Sequence, residues 1–212
     1  MNNQPSPVLE IKGKLYTQSS NRKSVYGEDT ISVKGKWYRE WDPKRSKLSA
    51  ALRKKLKYFP FHAGSICLYL GASTGTTVSH ISDVIGNGRI FAVEKAYEPF
   101  SKLLSLAEAR SNIYPILEDA FKVDRYSFFV DSPQILYQDI AQRNQVQIFN
   151  QVSSKFDSLD SGLLVVKIRA ISSRMDKDEI LKGQLEKLEN FRVKQVISLD
   201  PFSIDNYLIS VA

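Results

Sequence analysis

The sequence holds 212 residues, 42% of them hydrophobic and 25% charged. That balance builds one good core, or one core with a small appendage, and excludes a disordered chain. No apolar run approaches the ~20 residues that cross a bilayer, and Met1-Asn2-Asn3-Gln4-Pro5 has neither the basic nor the apolar region of a secretory signal, so an intracellular, soluble protein with no membrane partner is expected. Thirty Lys and Arg against 23 Asp and Glu leave a formal charge of +7, which suits a polyanionic partner, most often nucleic acid.

Residues 8–17 and 31–41 have strand character. In the second stretch, Ile31-Ser32-Val33 and Lys36-Trp37-Tyr38-Arg39-Glu40-Trp41 flank a Lys34-Gly35 turn, the composition of a hairpin. Asn21-Arg22-Lys23-Ser24 and Gly27 read as a connecting loop. A β-rich unit of about 40 residues is too small to stand alone, so it must lean on the rest of the chain or on a partner. Trp37, Tyr38 and Trp41 are of a type that stacks on bases, but in a small hairpin they read as core or partner-facing anchors.

Asp42-Pro43 suits a helix start, Asp as cap and Pro in the first turn. Leu48, Ala51, Leu52, Leu56 and Phe59 recur at near-helical spacing with the cations opposite, and Pro60 closes the element. Residues 44–57 hold seven cations and no acid, where an ordinary surface would mix signs. Lys44, Arg45, Lys54 and Lys57, with Arg174 further on, are therefore the candidate nucleic-acid contacts.

From residue 65 strands alternate with helices. Strand-like runs are Ile66–Leu70, Arg89–Val93, Ile113–Leu117, Gln134–Gln138, Gly162–Ile168, Val193–Leu199 and Tyr207–Val211. Helix-sized segments lie at 75–85, 98–110, 120–130, 142–157 and 176–190. The pattern predicts a parallel sheet covered on both faces. Asp200–Asp205 is too short for a helical crossover, so the last two strands must pair antiparallel. The expected fold class is thus α/β: a Rossmann-like sheet with one antiparallel C-terminal strand, similar to the class I methyltransferases, over 56–212, with a small N-terminal β domain over 1–55. Cys67, the single cysteine, sits in the first of these strands and reads as a buried thiol, since nothing near it would lower its pKa. His62 in a loop and His80 in the first helix have no Cys, Asp or Glu at ligand spacing, so no metal site is expected; His80 reads as a packing and hydrogen-bonding residue.

Leu68-Tyr69-Leu70-Gly71-Ala72-Ser73-Thr74-Gly75-Thr76-Thr77-Val78 is a strand, a Gly-bounded loop and a helix, which sets bare backbone beside a ligand lying across the strand ends. It lacks the third Gly of the dinucleotide fingerprint and the Gly-Lys-Ser/Thr of a phosphate loop. Acids then fall at consecutive strand ends: Glu94, 23 positions after Gly71, Asp119 and Asp139. Glu94 is placed to accept from ribose hydroxyls and Asp119 to meet an adenine amino group; three such acids beside one crevice favour a nucleoside site.

These residues carry a family resemblance. Ser24-Val25-Tyr26-Gly27-Glu28, Tyr38-Arg39-Glu40-Trp41-Asp42-Pro43-Lys44-Arg45-Ser46-Lys47-Leu48, the Gly71–His80 loop and helix with Ser82-Asp83, Asn112-Ile113, Asp139-Ile140-Ala141-Gln142 and Asp200-Pro201-Phe202 resemble fibrillarin, in order, from about residue 24 to the end. Length and the lack of an Arg/Gly-rich tail resemble the archaeal form, for which a cytoplasmic location follows. The resemblance implies S-adenosyl-L-methionine as cofactor, held by Gly71, Thr76, Thr77, Glu94, Lys95, Asp119, Ala120, Asp139 and Gln142. Lys95 stands where the family has an aromatic residue, so an alkyl stem would cover the adenine. It implies 2′-O-methylation of rRNA and tRNA ribose directed by a box C/D guide RNA. The partners implied are a Nop-family scaffold protein and a kink-turn-binding ribosomal-protein homologue.

The same resemblance implies a catalytic set of Lys, Asp, Lys and His or Glu. Lys47 and Asp139 match the first two; the fifth-strand Lys aligns with Arg169 and the His with Asn206. Arg is no base and Asn does not titrate. Lys167, two positions earlier on the same side of the strand, is expected to lie about 6.6 Å deeper and out of reach. Two readings follow: an active enzyme with Lys47 as base and Arg169 as an electrostatic clamp, or an inactive structural paralogue paired with an active fibrillarin. A small-molecule methyltransferase is a third reading, opposed by the cationic 44–57 stretch.

Overall fold

The computed structural model describes residues 8–212; the readings that rest on residues 1–7, a missing signal among them, lie outside that range. Four strands form an antiparallel sheet in the order β1-β2-β4-β3: β1 (Val8–Ile11), β2 (Lys14–Ser19), β3 (Thr30–Val33) and β4 (Lys36–Glu40). The strand character over 8–17 resolves into a hairpin. Lys12 and Gly13 turn it with φ of 47° and 76°, the two positive values that a tight two-residue hairpin needs. The β3–β4 hairpin turns the same way at Lys34 and Gly35, as the composition indicated.

Helix α1 spans Lys47–Arg53, shorter than the sequence pattern at both ends. Asp42 caps a turn, not the helix: Asp42 Oδ1 accepts from Lys44 N at 2.8 Å and its carbonyl from Arg45 and Ser46. Ser46 is the cap, its Oγ accepting from Ser49 N at 3.4 Å. The helix stops at Lys54 because Lys55 turns left-handed (φ 65°), which lets Lys55 N reach Leu52 O and Leu56 N reach Ala51 O, a Schellman closure. Leu56 thereby reaches the core by leaving the helix rather than extending it.

The second sheet has seven strands in the order β10-β11-β9-β8-β5-β6-β7. They are β5 (Ile66–Leu70), β6 (Arg89–Glu94), β7 (Ile113–Leu117), β8 (Ile135–Gln138), β9 (Ser161–Lys167), β10 (Val193–Ser198) and β11 (Asn206–Val211). β5 through β9 pair in parallel, and β11 runs antiparallel to both β9 and β10, the hairpin that the short Asp200–Asp205 connection required. Helices α2 (Thr76–Ile85), α3 (Tyr97–Glu108), α4 (Gln145–Ser153), α5 (Ile168–Ile171) and α6 (Lys177–Leu185) complete the layers. The helix expected over 120–130 is instead two 3₁₀ turns, Val123–Arg125 and Ser127–Phe129. Val123 and Tyr126, three apart, are buried, and the Tyr126 hydroxyl ties back to Ala120 O at 2.9 Å; a three-residue period is that of the tighter helix.

Alternation along the strands sorts the core into two faces. Cys67, Tyr69, Ala92, Tyr137, Leu163 and Val165 pack with α1, α2 and α3, and with Leu15 and Trp41 of the N-terminal segment. Leu68, Leu70, Leu136, Leu164 and Val166 pack with α4 and α6. The chain leaves β5 first toward β6 and β7 and later toward β8 and β9, so a crevice opens where the direction reverses, at the C-terminal ends of β5 and β8.

Candidate active site

Gly71 ends β5 at this crevice with φ 81°. A Cβ there would stand 2.6 Å from Asp139 O and 2.9 Å from Ile140 Cγ2, so only glycine lets the β5 and β8 ends approach this closely. Gly75 caps α2, also left-handed, and a Cβ on it would run into Leu106. Between the glycines the loop is held by Glu94, whose Oε2 accepts from Ser73 N at 2.9 Å while Oε1 accepts from Ala96 N at 2.8 Å. Each oxygen has a further lone pair with which to accept. Thr76 opens α2; the Thr77 hydroxyl is turned inward, donating to Ser46 Oγ at 3.0 Å.

On the β7 side, Asp119 Oδ1 accepts from Phe121 N at 3.0 Å, Lys95 Nζ stands 3.8 Å from Oδ2, and the Gln142 side chain lies against the same carboxylate. Burial pushes the Asp119 carboxyl up, but the Phe121 amide, Lys95 and Gln142 outweigh it and hold the group below its ordinary value. Ala120 is buried beside it. The three acids singled out from the sequence, Glu94, Asp119 and Asp139, thus lie at or just past the ends of β6, β7 and β8.

Asp139 sits at the centre. Lys47 Nζ, from the first turn of α1, donates to Oδ2 at 3.0 Å. Lys167 Nζ stands 2.7 Å from Oδ1, obliquely, and donates to the Asp139 carbonyl at 3.2 Å. Burial raises the Asp139 pKa, but two ammonium groups overcome it and hold the carboxyl below its ordinary value. All three side chains retain some solvent access, 25% for Lys47, 13% for Asp139 and 20% for Lys167. One carboxylate between two lysines leaves a unit of positive charge in excess.

Lys167 is the residue the sequence reading set aside, and Arg169 the one it chose; the structure reverses both. The strand expected to run to Ile168 ends at Lys167, so Lys167 is the last residue at the rim, not a deep one. Arg169 falls in α5, 61% exposed, with its Nε on Asp205 Oδ2 at 2.8 Å and Nη1 on Ser173 O, apart from the Asp139 cluster. Parity does not choose between the two, since 167 and 169 both continue the face of Leu163 and Val165; the point at which β9 ends does. Asn206 is the register partner of Lys167 across β9 and β11, and its amide donates to Ser203 Oγ at 2.7 Å. Lys44, Arg45, Lys54, Lys57 and Arg174 are exposed, Arg45 lying over the Tyr26 ring at 5.4 Å.

Comparison with known proteins gives one family. The Fibrillarin family profile matches residues 8–212. A fibrillarin-like rRNA/tRNA 2′-O-methyltransferase of Thermoplasma acidophilum is 54% identical over 204 residues, 96% of this chain and 88% of the relative. Among solved structures, Aeropyrum pernix fibrillarin with natively bound S-adenosyl-L-methionine superposes with a TM-score of 0.86 at 36% identity, covering 97% of this chain and 93% of that one. The fibrillarin of a fibrillarin/Nop5p complex superposes with a TM-score of 0.89 at 37% identity, 97% of each chain being covered.

Proposed function

The chain belongs to the fibrillarin family, and from that premise we propose that it transfers a methyl group from S-adenosyl-L-methionine to the 2′-hydroxyl of a ribose in rRNA or tRNA. The observation that carries this reading is the pair of lysines, Lys47 and Lys167, on Asp139 at the mouth of the glycine crevice. The crevice suits the cofactor on its own features: a glycine turn with no room for a Cβ, and carboxylates at the ends of β6, β7 and β8. Gly71, Thr76, Thr77, Glu94, Lys95, Asp119, Ala120 and Gln142 would hold it, with Asp139 shared between cofactor and substrate. When bound, the cofactor supplies an electrophilic methyl on a sulfonium.

A ribose hydroxyl is a poor nucleophile, so the chain must take its proton and aim its oxygen. Lys167 directs its ammonium at two oxygens of Asp139 and serves as the fixed cation. Lys47 is bonded to Oδ2 alone and serves as the proton acceptor. The hydroxyl proton passes to Lys47 as the oxygen bonds to the methyl carbon and the carbon–sulfur bond breaks, leaving the electron pair on sulfur. Lys167 and Asp139 orient the hydroxyl and offset the charge that develops on its oxygen.

The fibrillarin/Nop5p structure and the names of the relatives support a Nop-family scaffold and RNA substrates. A box C/D guide RNA and a kink-turn-binding protein complete the proposed particle, with Lys44, Arg45, Lys54, Lys57 and Arg174 facing RNA. The N-terminal residues to about 55 act as a small domain packed on the larger one in this reading. Lys167 beside Asp139 speaks against the inactive-paralogue alternative; Asn206 in place of His is its remaining support. Particles reconstituted with these partners should methylate the guided nucleotide in a single turnover. Cofactor binding without transfer would reject the enzymatic reading.

A further inference from the structure

We infer that Gln145 is a positioning residue for the transfer reaction: its buried side-chain amide replaces the strand missing beside Lys167 and fixes that lysine against Asp139. The inference rests on the proposed role of Lys167. In the β9–β11 pair, Ile168 N bonds Asp205 O while Asn206 faces Lys167 in register. Lys167 is therefore at a non-hydrogen-bonded position, and its own N–H and C=O point away from β11 toward β8. But β8 has already ended, its last pair with β9 being Gln138 and Leu164.

The gap is filled by one side chain. Gln145 Oε1 accepts from Lys167 N at 2.8 Å, and Gln145 Nε2 donates to Lys167 O at 3.2 Å. Gln145 is fully buried at the first position of α4. It is held in turn by Gln138, the last residue of β8, whose Nε2 donates to the Gln145 carbonyl at 2.8 Å. A glutamine amide has the donor and acceptor of a peptide group, so it continues the ladder for one residue past the strand's end. That residue is the one whose ammonium stands 2.7 Å from Asp139. Without the amide, both backbone groups of Lys167 would be left without partners in a largely dry place, and the strand end would be free to swing.

The test uses single-turnover transfer in the assembled particle, with Gln145→Met, Gln145→Glu and Lys167→Ala compared with the wild type. Gln145→Met keeps the volume and removes both hydrogen bonds. It should slow transfer by about 10- to 100-fold, the scale of a displaced catalytic group. Cofactor affinity by calorimetry and the KM for RNA should stay within about twofold of wild type, because no binding contact is touched. Amide exchange at Lys167 should accelerate in parallel. If Gln145→Met does not fold, Gln145→Glu carries the test: it keeps the acceptor, loses the donor and should still lose more than about fivefold in rate. Wild-type rates in the folded Gln145 variants, with Lys167→Ala inactive, would overturn the inference. Wild-type rates in Lys167→Ala would instead overturn the reading of the site beneath it.

Discussion

Two clusters in this protein are built on the same plan, one carboxylate shared by two cations, and they end as opposites. In the first, Asp83 takes Arg39 on Oδ2 and Arg110 on Oδ1 at 2.8 and 2.6 Å. Glu28 pairs with the far side of Arg39, so two acids meet two guanidiniums. Arg39 is fully buried; Thr17 donates to Asp83, and His80 lies between Thr17 and Tyr26, stacked on Trp41. In the second, Asp139 takes Lys47 and Lys167 at the rim, with no second acid. Guanidinium is permanently charged and rigidly forked, whereas an ammonium is a movable point charge that can give up its proton. Arginine therefore fastens the N-terminal sheet to α2, and lysine is kept where a proton must move.

The largest expected effect is on the second cluster. Asp139→Ala leaves two ammonium groups unopposed and should reduce single-turnover transfer by about 10³-fold, while the melting temperature changes little. The converse belongs to the first cluster. Arg39→Met leaves the buried Glu28 without its cation and Asp83 with Arg110 alone, and should cost about 3–5 kcal/mol in unfolding, read by denaturant titration, with any folded fraction retaining its rate per active site. If Arg39→Met were stable but slow, the division between fastening and chemistry would be wrong.

His80 sharpens the contrast. Burial, and then the charges of Arg39 and Arg110, hold its imidazole well below its ordinary value of 6.5. Because Thr17 gives its hydroxyl hydrogen to Asp83, it accepts from Nδ1–H, and Nε2 accepts from Tyr26, the neutral tautomer. The unfolded chain then binds a proton below pH 6.5 that the native state refuses, so stability falls as pH drops beneath that value. The slope is at most about 1.4 kcal/mol per pH unit, and it should vanish in His80→Gln. A melting temperature flat between pH 7 and pH 5 in the wild type would contradict this. The smallest effect is at the rim: Asn206→His places an imidazole beside Lys167 and should raise the transfer rate by no more than about tenfold.

What the sequence made legible follows the range of the interactions involved. Short apolar strands, the glycine loop and the acids at the ends of β6, β7 and β8 are local patterns, and the crevice follows from them. The early end of α1 was missed because the left-handed Lys55 that stops it gives no glycine signal. The choice of Arg169 over Lys167 was an error of two residues: whether β9 stops at 167 or continues depends on β11 and on Gln145, both distant in sequence. The pairing of Arg39 with Asp83 was equally hidden, since nothing in a hairpin arginine announces a partner 44 residues away.

The most direct measurement is single-turnover methyl transfer by Lys167→Ala and Arg169→Ala in the reconstituted particle, with cofactor affinity followed alongside. The account predicts that Lys167→Ala loses about 10³-fold in rate with the cofactor still bound, and that Arg169→Ala stays within about threefold of wild type, as its exposed pairing with Asp205 implies. Loss of transfer in Arg169→Ala with Lys167→Ala intact would contradict it and return the second cationic role to the arginine.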